Sequence, residues 1–174
     1  LPSVLLFVAT NFLVYVIAKR LFQEEKSAFY ALLIFNVCPI AAIGALQMVP
    51  DVPAAFCWLL YAYFVVRLSE ENNGLWWYPA GAVLGLGLLG KYMLVPLVPA
   101  TLLMVAAHPD LRRHFKSPHL YLGGLLGLLC LAPVMVWNAM HHYASFRFHL
   151  SDRHHFETPF AWEHMGEFLR GQLL

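Results

Sequence analysis

Charged residues are scarce in this 174-residue chain, which has 11 Lys and Arg and 10 Asp and Glu, or 12% of the total. A soluble domain has about 25%, so the shortage argues against a surface that faces water throughout. The few basic residues form no stripe and the formal net charge is +1, which argues against nucleic acid as a partner. The three cysteines lie in separate apolar runs without a CxxC pair, which is typical of small core residues.

Apolar residues make up 60% of the chain and are grouped in long runs. Runs of about 20 apolar residues span a bilayer core as helices. The sequence therefore predicts an all-α fold, a polytopic transmembrane helical bundle with about six membrane segments in a single domain. The predicted spans are approximately 1–18, 28–49, 52–66, 75–90, 92–107 and 119–137, followed by an outer loop at 138–158 and the start of a further helix at 159–174.

The chain begins at Leu1 inside an apolar run, without the charged segment that opens a signal peptide, and stops where another helix is beginning. We therefore expect it to be the middle of a longer protein. Within it, the glycines of "AGAVLGLGLLG" (80–90) have the close helical spacing that favours tight helix packing.

Basic residues give the predicted orientation, because loops rich in Lys and Arg face the cytoplasm. Three loops qualify, and their basic residues are Lys19, Arg20 and Lys26, then Arg67, then Arg112, Arg113 and Lys116. Spans 28–49 and 52–66 then form a hairpin with Asp51 at its outer end. The apolar run 75–107 is too long for one crossing, so it should cross twice, or enter and return. Its midpoint, Lys91, is thereby predicted on the same side as Asp51.

Asp51 and Lys91 are the polar residues that stand out, because each lies beside long apolar sequence. Asp51 lies at the start of a helix, where it can simply act as an N-cap. It can also bind a metal, a donor head group or an acceptor hydroxyl at the membrane surface. Lys91 can extend to the interface as a long side chain, but an ammonium in apolar surroundings favours an anionic partner, and a lipid-linked phosphate suits it.

The polar segment 138–158 holds five of the nine histidines and alternates aromatic and basic residues around Arg147. Its aromatics fit an interfacial belt, and Arg147 could equally clamp a phosphate. His141-His142 and His154-His155 are adjacent pairs, not the i, i+4 pair that presents two zinc ligands on one helix face. Trp76, Trp77 and Tyr78 are predicted to be belt anchors only.

Three motifs together resemble a known family: "PDVPAAFCW", "AGAVLGLGLLGKYM" and "LAPVMVWNAMHHYASFRF". In this order and spacing they are similar to the middle of bacterial polyprenol-phosphate-dependent glycosyltransferases. These are family 39, protein-mannosyltransferase-like members of the GT-C superfamily. The resemblance implies a bacterial inner-membrane enzyme whose active site faces the periplasm or the exterior. It would take a sugar from a polyprenyl-phosphate donor and pass it to a lipid, glycan or protein acceptor.

The resemblance also implies roles for individual residues. Asp51 would lie beside the donor and acceptor site, Lys91 near the lipid phosphate, and Asn138 at the turn into an outer loop that roofs the cavity. The main catalytic acid of the family is expected upstream of Leu1, so the fragment alone should be inactive. The candidate site consists of Asp51 as the catalytic residue and of a substrate-binding set, namely Lys91, Tyr92, Asn138, His141 and Arg147.

The sequence also leaves the cofactor and two alternative functions open. No cofactor is certain, and a divalent metal is not excluded; membrane lipids are the remaining expected partner. A secondary transporter would also use broken helices and a few buried charges, but it should have ionisable groups near mid-membrane and an inverted repeat. A non-catalytic membrane assembly subunit would make Asp51 and Lys91 incidental.

Overall fold

A computed structural model of the chain describes residues 2–39 and 49–150 and the side chains as far as Phe148. Every regular element in these ranges is helical, which confirms the predicted all-α class. The α-helices are α1 Pro2–Phe22, α2 Glu25–Val37, α3 Asp51–Glu71, α4 Trp77–Gly90, α5 Leu97–Ala107, α6 Pro118–Met140 and α7 Ala144–Leu150. Short 3-10 segments lie at Gly74–Trp76, Tyr92–Leu94 and Pro109–Lys116.

Helices α1, α3 and α6 have 21, 21 and 23 residues and are long and apolar enough to cross a membrane. Residues 92–107 and 109–116 together would make a fourth span, but the chain bends by 118° between them, and the second part carries the basic residues of a surface turn. Helices α4 and α5 have 14 and 11 residues, or about 21 and 16 Å, against a bilayer core of about 30 Å. The described residues thus hold three to four candidate spans, and the predicted number of six stays a prediction.

Several helix ends differ from the predicted boundaries. Helix α2 ends at Val37 with Cys38 as an extended C-cap, because Pro39 disfavours the helical conformation of the residue before it. The rest of the predicted span 28–49 lies largely outside the described residues. Helix α3 continues to Glu71, since an ion pair between Arg67 and Glu71 supports its last turn.

The predicted outer loop 138–158 is helical over much of its described part. Helix α6 continues to Met140, and α7 follows from Ala144 to Leu150 after a three-residue turn. The turn has two left-handed residues, His142 and Tyr143, with φ of 54° and 57°, which is how it reverses the backbone without glycine. The predicted further helix at 159–174 lies outside the described residues.

The chain forms two compact units, Leu1–Val134 and Met135–Leu174. In the first unit, buried side chains form two core clusters. One contains Ala54, Leu88, Leu94 and Leu131 and lies near the start of α3, which we call the Asp51 end. The other contains Leu68, Trp77, Val105 and Leu111 and lies near the end of α3, which we call the basic end.

Glycines allow α4 and α6 to run side by side in parallel. A Cβ at Gly81 would lie 1.9 Å from the carbonyl oxygen of Gly123, and one at Gly85 would lie 2.3 Å from that of Gly127. Backbone atoms cannot move aside as a flexible side chain can, so only glycine fits this glycine seam. The prediction that this run packs closely against another helix is confirmed.

Polar side chains also join the apolar helices. The Asn36 amide donates to the side-chain oxygen of Asn11, between α2 and α1. The Tyr61 hydroxyl donates to the Thr101 hydroxyl over 2.8 Å, between α3 and α5, and both groups are buried. Hydrogen bonds of this kind hold helices together where apolar packing alone gives no preference for protein over lipid.

Candidate functional site

Asp51 is the first residue of α3 and follows Pro50. A carboxylate at this position is favoured by the partial positive charge of the helix N-terminus. The N-cap residue of α3 is Pro50, and the described hydrogen bond of the Asp51 carboxylate is with the Lys91 side chain, so Asp51 does not act as the N-cap. The side chain instead extends to the surface, where it is 62% exposed.

Lys91 lies at the break between α4 and α5. Its backbone is extended, and its N–H closes α4 by donating to the Gly87 carbonyl over 3.1 Å. The following 3-10 turn and Pro96 then redirect the chain into α5. Lys91 thus lies on a non-helical step inside apolar sequence, and its side chain is 39% exposed.

The structure brings Asp51 and Lys91 together: the Lys91 ammonium donates to Asp51 Oδ1 in an ion pair. The two residues are 40 positions apart and are joined by the antiparallel packing of α3 on α4. The anionic partner of Lys91 in this structure is therefore a protein carboxylate, where the sequence favoured a lipid phosphate. Tyr92, the third candidate of this unit, is half-buried in the 3-10 turn that follows Lys91.

Asn138 is fully buried in the last turn of α6. Its Oδ1 accepts from the Ser145 N–H over 3.1 Å, and its backbone carbonyl accepts from the Tyr143 N–H over 2.8 Å. Since Ser145 lies in the first turn of α7, the Asn138 side chain satisfies one of the N–H groups that a helix start leaves unpaired. Asn138 therefore holds the turn between α6 and α7.

His141 and Arg147 belong to the same second unit. The His141 ring stacks on Trp137, with centroids 4.3 Å apart and planes 13° from parallel. Arg147 lies on α7, where its N–H donates to the Tyr143 carbonyl over 2.9 Å. The candidates thus form two groups, Asp51, Lys91 and Tyr92 in the first unit and Asn138, His141 and Arg147 in the second.

No group of three or more His, Cys, Asp or Glu that could hold a metal occurs in residues 2–39 and 49–150. His154 and His155, one of the two adjacent pairs considered above, lie outside the described residues. The metal question therefore stays where the sequence left it.

Sequence reasoning missed a polar network at the basic end, centred on Asn72. This residue ends α3 in a left-handed conformation, with φ of 49°. Its Oδ1 accepts from Arg113 Nε and from His114 Nε2, each over 2.9 Å, and its amide nitrogen donates to the Asp110 carbonyl over 3.3 Å. The sequence "ENNG" (71–74) could have predicted the end of α3 at Asn72, since Asn adopts the left-handed region more readily than most residues.

His114 is buried in this network, and its partners fix its protonation state. The Trp77 indole can only donate, and it donates to His114 Nδ1 over 3.2 Å. The proton of the neutral ring is then on Nε2, which donates to Asn72. Burial, followed by the positive charge of Arg113 and the neighbouring His119, lowers the pKa of His114.

The prediction that Trp76 and Trp77 are only belt anchors is wrong. Trp77 is 6% exposed and belongs to the core cluster of the basic end. Trp76 donates to Glu71 over 2.7 Å and lies under the Arg67 guanidinium at 4.9 Å. Both rings hold the turn between α3 and α4, because their N–H groups find partners in the protein.

The family model of dolichyl-phosphate-mannose-protein mannosyltransferases matches residues 1–137 of the 174. This range includes Asp51, Lys91 and Tyr92 and ends just before Asn138. No curated protein and no solved structure gives a significant match.

Proposed function

Because the chain belongs to the dolichyl-phosphate-mannose-protein mannosyltransferase family and is thus a membrane glycosyltransferase of the GT-C type, we propose how it acts. The donor is a sugar carried on a polyprenyl phosphate, and the acceptor is a lipid, glycan or protein. Transfer takes place on the extracytoplasmic face of the bacterial inner membrane, at the Asp51 end.

The observation that carries this proposal is the ion pair of Asp51 and Lys91 at the α4–α5 break. In the reaction, an acceptor hydroxyl oxygen bonds to the anomeric carbon, the bond from that carbon to the phosphate oxygen breaks, and polyprenyl phosphate leaves. A carboxylate takes the hydroxyl proton. The ammonium of Lys91 stabilises the negative charge that gathers on the departing phosphate.

The exposure of the pair supports an exchange of partners at Lys91. An exposed ion pair contributes only about 0–1 kcal/mol. A charge-assisted hydrogen bond to a phosphate oxygen, screened from water by its lipid, is worth about 1.5–3 kcal/mol. An arriving lipid phosphate therefore competes well for Lys91, and Asp51 holds the ammonium in place until then.

Asp51 is assigned to positioning, either of Lys91 or of the acceptor hydroxyl, and the main base is assigned to the upstream acid that the family resemblance implies. Arg147 is proposed as a second phosphate contact, His141 and Tyr92 as substrate contacts, and Asn138 as the residue that shapes the turn leading to α7. A transporter is less well supported, since the ionisable pair lies at helix ends rather than in the middle of a span.

A charge exchange between the two residues tests the proposal in the intact protein. The double variant Asp51→Lys, Lys91→Asp can re-form an ion pair but moves the ammonium from the α4–α5 break to the start of α3. We expect at least a hundredfold loss of sugar transfer from a purified polyprenyl-phosphate donor, since one well-placed charge contributes about 3 kcal/mol to such a transition state. Thermal stability in detergent should stay close to that of the unmodified protein.

The exposed pair of Lys19 and Glu25 is the matched control, with its atoms 2.6 Å apart at the basic end. The exchange Lys19→Glu, Glu25→Lys should leave transfer unchanged. If the Asp51 and Lys91 exchange retains transfer, the pair is structural and the proposed phosphate role of Lys91 is lost.

A further inference from the structure

We propose that the basic end carries a binding site for the phosphate group of an anionic phospholipid. The site is an open pocket of about 290 Å³. Its lining residues come from the end of α3, the Gly74 turn, the Pro109–Lys116 segment and the start of α6: Asn72, Gly74, Arg113, His114, Lys116, Ser117 and His119. The proposal does not depend on the transferase reaction, which is assigned to the other end of the unit.

The pocket is positively charged. Arg113 and Lys116 contribute two cations, and none of the described lining residues is acidic. Helix α6 begins at Pro118, beside the pocket, so the positive end of its dipole adds to the field. Lys116 makes no ion pair with any described carboxylate. Its charge is therefore available to an anion.

Arg113 is pre-positioned for such a ligand. Its Nε and one terminal nitrogen are both held by Asn72, through the side-chain oxygen and the backbone carbonyl. The remaining N–H groups of the guanidinium fork suit the oxygens of a phosphate. Because Asn72 already fixes the side chain, less conformational entropy is lost on binding.

The histidines shape the pocket rather than supply charge. Both ring nitrogens of His114 are engaged within the protein, by Trp77 and Asn72, and His119 Nδ1 pairs with the Tyr78 hydroxyl over 2.9 Å. The His119 ring lies against Gly74, where a Cβ would come within 2.8 Å of it. Glycine at this position leaves the pocket open, so recognition is assigned to Arg113 and Lys116.

The surroundings favour a lipid over a soluble phosphate. Large apolar side chains are exposed next to the pocket, namely Leu75 at 58%, Tyr121 at 63% and Leu122 at 46%. Leu75 lies in the Gly74–Trp76 segment just before α4, and Tyr121 and Leu122 lie in the first turns of α6. The ends of apolar membrane helices are where lipid head groups meet acyl chains. A phospholipid can therefore place its phosphate in the pocket and its chains along these residues.

Lipid binding to the intact protein in detergent, counted by native mass spectrometry, tests this site. The probes are phosphatidylglycerol and, for comparison, zwitterionic phosphatidylcholine. Lys116→Gln should weaken binding of the first phosphatidylglycerol about fivefold, since one basic residue near an anionic surface contributes about 1 kcal/mol. Phosphatidylcholine binding should not change. Lys116 is exposed, so the substitution leaves the fold intact.

Arg112→Gln is the matched control, because Arg112 is in the same segment but donates to the Ala106 carbonyl and does not line the pocket. It should retain the affinity of the unmodified protein. Equal weakening by both substitutions would mean diffuse attraction and would overturn the site. Displacement of the lipid by millimolar inorganic phosphate would show a soluble ligand and would overturn the assignment to phospholipid.

Discussion

Burial of His114 at the basic end makes the stability of the fold depend on pH. Its pKa in the folded protein lies below the ordinary value of about 6.5, because burial and the charge of Arg113 oppose protonation. The unfolded chain therefore binds the proton more readily than the folded protein does. Neutral His114 thus contributes to the free energy of unfolding above pH 6.5, and this contribution is lost as the pH falls through the lowered pKa. Protonation at Nδ1 would also break the hydrogen bond from Trp77.

We therefore expect the thermal stability of the protein in detergent to fall between pH 7.5 and pH 5.5. The fall should be smaller in His114→Asn, which cannot take up the proton. The corresponding His108→Asn variant serves as the control, since the His108 ring is exposed and its described hydrogen bond is with the Met104 carbonyl four residues earlier. An equal pH effect in His114→Asn and in the unmodified protein would remove His114 as the cause.

Candidate site residues could be predicted from the sequence where their immediate neighbours made them unusual. Asp51 and Lys91 stood out because they interrupt apolar runs, and the predicted hairpin put them on the same side of the membrane. The structure has the two side chains in contact. The contacts of His114 were not predictable, because Trp77 and Asn72 are 37 and 42 positions away. Nothing in a basic turn indicates that one of its side chains is buried.

At the scale of helices, the glycine seam gives a sharp test. A Cβ at Gly123 would lie 2.3 Å from the Trp77 carbonyl oxygen. Gly123→Ala should therefore force α4 and α6 apart and lower the free energy of unfolding by about 1–3 kcal/mol. The measurement is the apparent Tm in detergent.

The next residue provides the control. A Cβ at Gly124 would meet nothing within 4 Å. Gly124→Ala should leave the Tm unchanged or raise it, since alanine favours the helix by about 0.5–1 kcal/mol. A similar decrease of the Tm in both variants would indicate that α4 and α6 are not in close contact.

Helices themselves followed from apolar runs, but their ends did not. The run 28–49 reads as one span, yet Pro39 ends α2 early. The polar segment after Trp137 reads as a loop, yet Asn138 caps a short helix there. In the first place one proline ended the helix, and in the second Asn138 with two left-handed residues formed the turn. Hydropathy averaged over a window does not resolve such single positions.

At the scale of the whole molecule, topology is the property to measure. In the intact protein with Cys38, Cys57 and Cys130 replaced, a single cysteine is introduced at Met93, which is 64% exposed near Lys91. We expect it to react with a membrane-impermeant maleimide from outside the cell.

A cysteine introduced at Arg112 reports on the cytoplasmic side and should react with the maleimide only after the membrane is permeabilised. The proposed extracytoplasmic reaction at the Asp51 end would be ruled out by labelling of the Met93 position solely from the cytoplasm.

The shortness of α4 and α5 has a consequence for biogenesis. Helices of about 21 and 16 Å give a translocon little apolar length to recognise, and their stabilising partners are distributed along the chain. Thr101 of α5 bonds to a helix already made, whereas the seam of α4 needs α6, which the ribosome delivers later. We therefore expect α4 and α5 to insert stably into the membrane only after α6 has been synthesised. A nascent chain arrested before Pro118 would hold α4 against α3 but leave the glycine face of α4 without α6.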